Sequence, residues 1–513
     1  MDEKKKDRGT RSRFYDGYEL AKYRKWRGVK DSWLDYVEWL KDRKVSGELI
    51  KSDPVRAFKA FTTYRWMAPY LASGAMVDRT LDDAEGVSLK IGHEFMRVIL
   101  KSNVNALIKI IKADKRFGDN ELADKMVLFE QITSPILIGG FPNLVHSVQE
   151  PYHTILPTAN DQHGGYYFTD IIDSYGLPSD SCRVSSSICG VAIDDELPIE
   201  GACIITSNAP CDSSVMNSSV VARRLNIPAI EGCTPMRWRD ESVQEYAVAH
   251  VKEIIKFIED TTGETFDWDA FFKVVERYNE ETRIQLELWE LAKTPYYPVP
   301  AVPNLLFRSF QLSFSSGLAD EVVEVSREML KLCEECYEKK INMRPKTRHR
   351  LLVCGAPASY YMHFSTWMYE CWGVNTVAVM NNLSHHEFIS TTDKDEALLG
   401  VAKLWEQAIM RRHLVGGYQN MLEMFEEYER FNCDMIMFYD DITCKGSKSM
   451  TGIIQDTANE RNIPLMWVSH DVIDPRTISR NEMRRQFNDF MFTVMNEKPL
   501  DESLLDFDDS KGW

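Results

Sequence analysis

Three cysteines stand where an open α/β sheet carries its chemistry. Cys211 follows the apolar run GACIITSNA, and Cys444 follows CDMIMFYDD. Ligands of open α/β sheets bind beyond the carboxyl ends of the strands. Cys182 sits in a polar, serine-rich loop, GLPSDSCRVSSSICG. None of the three lies in an apolar helix stripe, the usual home of a structural thiol. Together, three thiolates could hold an iron–sulfur cluster. The intervals between them, 29 and 233 residues, match no local cluster motif, so the fold itself would have to bring them together. Residue chemistry leaves two rivals: Cys354 ends the run LLVCGAP, and Cys189 lies seven residues after Cys182. Cys203, Cys371 and Cys433 lie in or beside apolar runs and read as packing residues. Cys333 and Cys336 form a single C-E-E-C in an acidic helix. It lacks the second pair a zinc site needs, and its glutamates oppose thiolate formation.

Other sources of reactivity are missing. The chain has no G-x-x-x-x-G-K-[ST] phosphate loop, no G-x-G-x-x-G opening a helix, no H-E-x-x-H and no G-x-S-x-G. His385 and His386, in NNLSHHEF, have the chemistry of proton donors near a strand end. A surface pair at a helix start is the commoner meaning of such a doublet.

The elements that must position these residues fall into blocks. From Tyr15 to about Leu128 apolar residues recur every three or four positions, as in DSWLDYVEWLKDR, GHEFMRVILKSNVNALIKIIKAD and NELADKMVLFEQI, and predict helix. From about Ile132 short apolar runs end at Gly, Pro, Asn or Asp: PILIGGFP, GACIITSNAP and IPAIEGC predict strands alternating with helices such as SSVVARRLN and QEYAVAHVKEIIKFIEDT. Asp267 is a plausible N-cap for a further helix carrying Trp268, Phe271, Val275 and Tyr278, and the four prolines of TPYYPVPAVPN stop helix in their turn. A second strand–helix block follows, with HRLLVCGAP, NTVAVMNN, CDMIMFYDD and IPLMWVSHD as its strands. The reading is α/β: two doubly wound, Rossmann-like parallel-sheet domains at 131–266 and 346–500, joined by a helical segment at 267–345. A helical N-terminal extension at 1–130 precedes them and an acidic tail at 501–513 follows.

Composition narrows the function classes. The chain has 513 residues with 61 Lys and Arg against 78 Asp and Glu, a net charge of −17. That balance disfavours a phosphate-gripping nucleic-acid binder and a partner of anionic membranes. A hydrophobic fraction of 44% supports a large buried core. No apolar stretch is long enough to span a bilayer, and the charged start has no secretory h-region, so a cytoplasmic location is expected. Eleven cysteines in a chain of this length are then thiols rather than a disulfide framework.

Four segments together, within roughly residues 130–497, resemble the 2-hydroxyacyl-CoA dehydratase and benzoyl-CoA reductase superfamily. GLPSDSCRVSSSICG is similar to its Leu-Pro-x-x-x-Cys loop, ITSNAPCDSS to its strand ending in Cys-Asp, and MIMFYDDITCKG to its strand followed by Cys-Lys. IPLMWVSHDVIDPRTISRNEMRRQFNDFM is similar to its closing strand, Asp-Pro-Arg and final helix, and VVERYNEETR to its connecting helix. The resemblance implies a four-iron four-sulfur cluster on Cys182, Cys211 and Cys444, with one iron left open as a Lewis acid. It implies an acyl-CoA substrate, a related second subunit or a second copy of the chain, and a separate ATP-hydrolysing iron–sulfur activator. The implied reaction is elimination of water from a 2-hydroxyacyl-CoA through a ketyl radical. Two variants of the resemblance are ring reduction of the benzoyl-CoA reductase type and a double-cubane cluster. A non-catalytic partner subunit with a relay cluster is the alternative from another class. Lys445 would be a candidate for CoA phosphate, though an exposed lysine after a strand is commonplace. The sequence departs from the family upstream of Cys182, where GGFPNLVHSVQEPYHTI transfers no catalytic acid or base to His146 or Glu150, and at Gly446, where Pro is more usual.

Overall fold

A computed structural model describes residues 28–63, 81, 84–114, 122–130, 133–150, 162–194, 200–207, 212–232, 240–383, 387–407 and 418–506. Cys211, His385 and His386 lie outside the described residues.

The amino-terminal region forms α1 (Gly28–Ser52), α2 (Pro54–Thr63) and α3 (Gly86–Ala113). The apolar face of α3 buries Leu89, Phe95, Ile99 and Leu107. Phe95 stacks on Phe307 with ring centroids 4.0 Å apart, so α3 is packed into the body of the protein.

The first sheet begins earlier than the sequence pattern indicated. MVLF, expected as helix, is strand β1 (Met126–Phe129), buried along its whole length. A parallel strand covered on both faces reads as a continuous apolar run, which periodicity cannot separate from buried helix. PILIGGFP, expected as a strand, is instead a 3₁₀ helix over Pro135–Gly140. Pro135 lacks the N–H a ladder needs, and Ser134 Oγ caps the turn by accepting from Ile136 N. Strand β2 (Val145–Val148) follows, then α4 (Gln162–Ser174), α5 (Arg183–Asp194), β3 (Cys203–Ser207), α6 (Asp212–Leu225), β4 (Ala229–Gly232) and α7 (Glu241–Thr262).

Three helices connect the sheets: α8 (Trp268–Ala292), α9 (Ala301–Phe310) and α10 (Asp320–Glu338). Asp267 caps α8 by accepting from the backbone of Asp269 and Ala270, as its sequence position predicted. The second sheet is built from β5 (His349–Gly355), α11 (Phe364–Trp372), β6 (Val374–Val379), α12 (Lys394–Glu406), α13 (Tyr418–Arg430), β7 (Met435–Asp441), α14 (Lys445–Ser449), α15 (Thr451–Glu460), β8 (Leu465–His470) and α16 (Arg480–Thr493).

Both sheets are parallel and share one strand order, β2-β1-β3-β4 and β6-β5-β7-β8. This is the α/β architecture, with two Rossmann-like units, that the alternating pattern predicted. In each central strand alternate residues enter opposite cores: Met126 and Leu128 one, Val127 and Phe129 the other. Leu351 and Val353 likewise part from Leu352 and Cys354. The chain also crosses between units. Helix α12, which lies between two strands of the second sheet, packs Leu398, Val401 and Trp405 into a core of the first. Trp405 Nε1 donates to the Ser134 carbonyl at 3.1 Å. At the end of β5 the chain needs glycine: Gly355 has φ +78°, and a Cβ there would lie 2.0 Å from the Tyr439 carbonyl oxygen of β7.

Candidate functional site

Of the candidate ligands, Cys182 and Cys444 are described, and each stands at the start of a helix. Cys182 immediately precedes α5, and its carbonyl accepts from Ser186 N at 2.9 Å. Cys444 is the N-cap of α14, with the backbone N–H groups of Gly446 and Ser447 directed at its sulfur. Cys211 comes immediately before α6 in sequence. A helix start presents unpaired N–H groups and the positive end of the helix dipole, and such a setting favours thiolate.

Three contacts draw these turns together. Arg183 N donates to Thr443 Oγ1 at 3.4 Å, joining the residue after Cys182 to the residue before Cys444. Cys182 N donates to Ser213 Oγ at 2.8 Å, tying it two residues beyond Cys211. Ser181 and Ser213 share a short hydroxyl hydrogen bond, which Asn217 supports by donating to Ser181 Oγ at 3.2 Å. Lys445, offered above as a phosphate contact, pairs with Asp180 at 3.4 Å.

Buried carboxylates pin the helices that follow. Glu130, at the end of β1 and 3% exposed, accepts from Ser185 Oγ of α5 at 3.3 Å and from Ser214 Oγ of α6 at 2.5 Å. Asp440, 1% exposed on β7, accepts from Ser447 Oγ of α14 and from Trp467 Nε1 and Ser469 Oγ of β8, and pairs with Lys448. Asp441 accepts from both N and Oγ1 of Thr443, fixing the turn before Cys444.

Electrostatics separates the cysteines. Burial pushes the Cys189 thiol up to about 12, and Glu130 and Glu150 add to it. Its sulfur bonds within the fold to the Asn217 carbonyl, 3.4 Å away. Burial holds Cys354 well above the ordinary thiol range, with Cys433 adding to it. Both rivals are therefore packed, protonated thiols. Cys203, Cys333, Cys336, Cys371 and Cys433 are buried too and their thiols are raised, as packing residues should be. Cys444 is raised by burial and by Asp441, but the N–H groups of Ser447 and Gly446 and the Ser447 hydroxyl act against them. Cys182 is only partly buried. Among the described residues no group of three His, Cys, Asp or Glu side chains could hold a metal ion.

The two units are also clasped beside this site. Arg476 forks onto Asp474 and reaches Asp170 Oδ1 of α4 at 2.9 Å, its guanidinium 4.5 Å from the Tyr166 ring centroid. Within the first unit, Arg183 of α5 holds Asp173 of α4 through two bonds of 2.8 and 3.2 Å.

A profile of the family described as 2-hydroxyglutaryl-CoA dehydratase, D-component, matches residues 156–491, well over half of the chain. The chain belongs to that family. Comparison with curated proteins gives no match. In this dehydratase-type subunit of the 2-hydroxyacyl-CoA dehydratase family, Cys182, Cys211, Cys444 and Asp474–Pro475–Arg476 all fall inside the matched region. The match begins after β1 and β2, so Glu130 lies outside it.

Sequence reasoning missed Glu130, Ser213, Thr443 and Asp440. Glu130 left one signal, an acidic residue closing the apolar run MVLF. The others act through contacts that no spacing encodes. His146, to which no role was transferred, is structural in this dehydratase subunit. Its Nε2 meets the Phe314 carbonyl at 2.9 Å, and burial with Lys109 nearby pushes the imidazole down to about 3. Glu150 is buried as well. No described helix is long and apolar enough to cross a membrane.

Proposed function

We propose that the protein is the cluster-binding subunit of a 2-hydroxyacyl-CoA dehydratase, with Cys182, Cys211 and Cys444 as ligands of one four-iron four-sulfur cluster. The observation that carries this reading is the convergence of the Cys182 and Cys444 turns through Arg183 and Thr443, with Ser213 tying in the start of α6. The donor chemistry fits. Two of the ligands lie at helix starts among N–H and hydroxyl donors, whereas the competing thiols are sealed in apolar cores. When bound, such a cluster supplies low-potential electrons and an open iron that acts as a Lewis acid.

The chain's own residues do the rest. Glu130 fixes α5 against α6, Asp440 fixes α14 against β8, and Asp441 fixes the Thr443 turn, so the turns of Cys182 and Cys444 and the start of α6 are pre-organised. Trp467 and the apolar strand β7 screen the Asp440 side from water. The substrate on this reading is a 2-hydroxyacyl-CoA. The D-component name supports a partner component, a related second subunit or a second copy, and electrons would come from a separate ATP-hydrolysing iron–sulfur activator.

The deciding experiment is anaerobic purification with iron and acid-labile sulfide counted per chain. About four of each are expected, and C182S, C211S and C444S should each lower both while C189S and C354S leave them unchanged. No cluster after reconstitution, or full content in all three ligand variants, overturns the reading. About eight iron per chain would point to the double-cubane alternative. Electron consumption with every turnover, rather than catalytic electrons, would point to ring reduction.

A further inference from the structure

The helix α1 carries its aromatic residues on the outside. Its inner face meets α3 largely through polar bonds. Buried Glu38 and Asp42 accept from Arg97, Asp35 and Asp42 flank His93, and Asp31 accepts from Gly86 N at 3.2 Å. Leu34 adds an apolar contact to the core. Val29, Trp33, Tyr36 and Leu40 point the other way, 80%, 67%, 51% and 45% exposed. Steps of four, three and four residues are those of a coiled-coil seam. Arg43, Gly47 and the exposed Ile50 continue the same line. The rings of Trp33 and Tyr36 lie 6.0 Å apart, as do those of Tyr36 and Trp39, so the aromatic surface is continuous. From Val29 to Leu40 it runs about 17 Å, roughly two heptads of a facing helix. A contiguous apolar stripe left in water marks an interaction surface.

We infer that the outer face of α1 docks an amphipathic helix of another protein, apolar along its seam and acidic along its flank.

Charge selects that occupant. With Trp33 and Leu40 at the a positions and Tyr36 at d, the e line of α1 reads Lys30, Val37, Lys44 and Lys51. The g line reads Ser32, Trp39 and Ser46. All three lysines of the e line are exposed. Lys44 meets Glu48 at 3.5 Å, but both side chains are open to water, where such a pair is weak. In a chain of net charge −17 this flank is a local basic strip. A second copy of α1 does not answer it. Parallel pairing sets the lysines against Ser32, Trp39 and Ser46, and antiparallel pairing sets lysine against lysine. An anionic membrane fits less well, because the overall charge repels it and the lysines line one flank of the seam only. Glutamates on a facing helix would pair with all three lysines while its apolar seam covers Trp33 and Tyr36. Helix α1 precedes the family-matched residues 156–491, so this surface stands apart from the cluster reading.

The test uses the full chain and two labelled helical peptides with leucine at the a and d positions, one with glutamate and one with lysine on both flanks. Fluorescence anisotropy should show the glutamate peptide binding at least about tenfold more tightly than the lysine peptide, with the difference shrinking at high salt. W33E should weaken binding about thirtyfold, as loss of a buried aromatic anchor does. K30E/K44E/K51E should reverse the preference. These exposed substitutions should leave the melting temperature unchanged. Hydroxyl-radical footprinting of the dilute free chain should oxidise Trp33 and Tyr36 well before the buried Trp367 and Trp372. Absence of binding, or equal binding of the two peptides, overturns the proposal. So does a protected Trp33 in the free chain, which would mean that the chain covers its own stripe. Dimerisation in sedimentation that W33E abolishes would assign the face to a second copy, and W33E-sensitive pelleting with phosphatidylglycerol vesicles would assign it to a membrane; either result also overturns it.

Discussion

Replacing Glu130 with alanine removes a buried carboxylate that ties α5 to α6. The side chain accepts from Ser214 at 2.5 Å and from Ser185 at 3.3 Å, and both hydroxyls sit in buried residues. A hydrogen bond to a charged acceptor contributes about 1.5–3 kcal/mol, and a buried hydroxyl left without a partner costs a comparable amount. Taking about 2 kcal/mol for the short bond and about 1 for the long one gives about 3 kcal/mol. That energy falls on the first turns of α5 and α6, beside Cys182 and next to Cys211 in sequence. Local opening there should become on the order of a hundredfold easier, since each 1.4 kcal/mol is about tenfold. Hydrogen exchange resolved to peptides 181–190 and 212–220 reads this directly. E130Q keeps a carbonyl acceptor and should lose roughly tenfold only. Unchanged protection in E130A, or an equal loss in α16 of the second unit, would show that Glu130 is not a local pin.

Other consequences are as direct. In cluster-free protein, iodoacetamide at pH 8 should label Cys182 well before Cys189, Cys354 or Cys433, whose burial keeps them as thiols; mass spectrometry of a time course decides. Burial raises Glu281 of α8 to about 8 against the pull of Arg308, so the folded chain binds a proton that the unfolded one has released. Stability should fall as pH rises from about 4.5 to about 8, and E281Q should flatten that slope in urea titrations; equal slopes would refute it. G355A forces a side chain into both a left-handed φ and the Tyr439 carbonyl, and should cost about 3 kcal/mol or more, read as a lower melting temperature. R476A loses contacts at a half-exposed site and should weaken the clasp by only about 1 kcal/mol, seen as faster proteolysis between the units.

Much of this molecule is legible in its sequence, and the exceptions have physical causes. Strands β3 to β8 announce themselves because apolar runs end at Gly, Asn or Asp, where the chain must turn. Strand β1 escaped because four buried residues carry no period, and the run Pro135–Gly140 misled because its apolar content serves helix packing. There Gly139 and Gly140 lie so close to Val274 and Phe266 that a Cβ would clash. Choosing among the cysteines needed burial. Cys354 ends a strand as Cys444 follows one, yet Cys354 points into a core with Leu352 and Ile436, and Cys444 caps a helix. No property of the sequence near Cys354 distinguishes the two. The partners Glu130, Thr443 and Ser213 belong to contacts between segments tens to hundreds of residues apart, which only the folded chain brings together.

The shared strand order of the two sheets accounts for the spacing of the proposed ligands. β3 and β7 occupy the same place, third in each unit and beside the first strand. Cys211 follows β3 and Cys444 follows β7, each just before a helix, so a spacing of 233 residues is one topological position used twice. The pins repeat as well, a buried carboxylate at the strand ends of each unit: Glu130 in the first, Asp440 in the second. Cys182 breaks the symmetry. It lies in the β2–β3 connection, whereas the β6–β7 connection has its one cysteine, Cys433, at the amino end of β7, away from the carboxyl edge. A fully symmetric pair of units would offer an even number of thiolates. On the proposed reading, the odd third ligand is what leaves one iron without a protein sulfur, as a catalytic metal site requires.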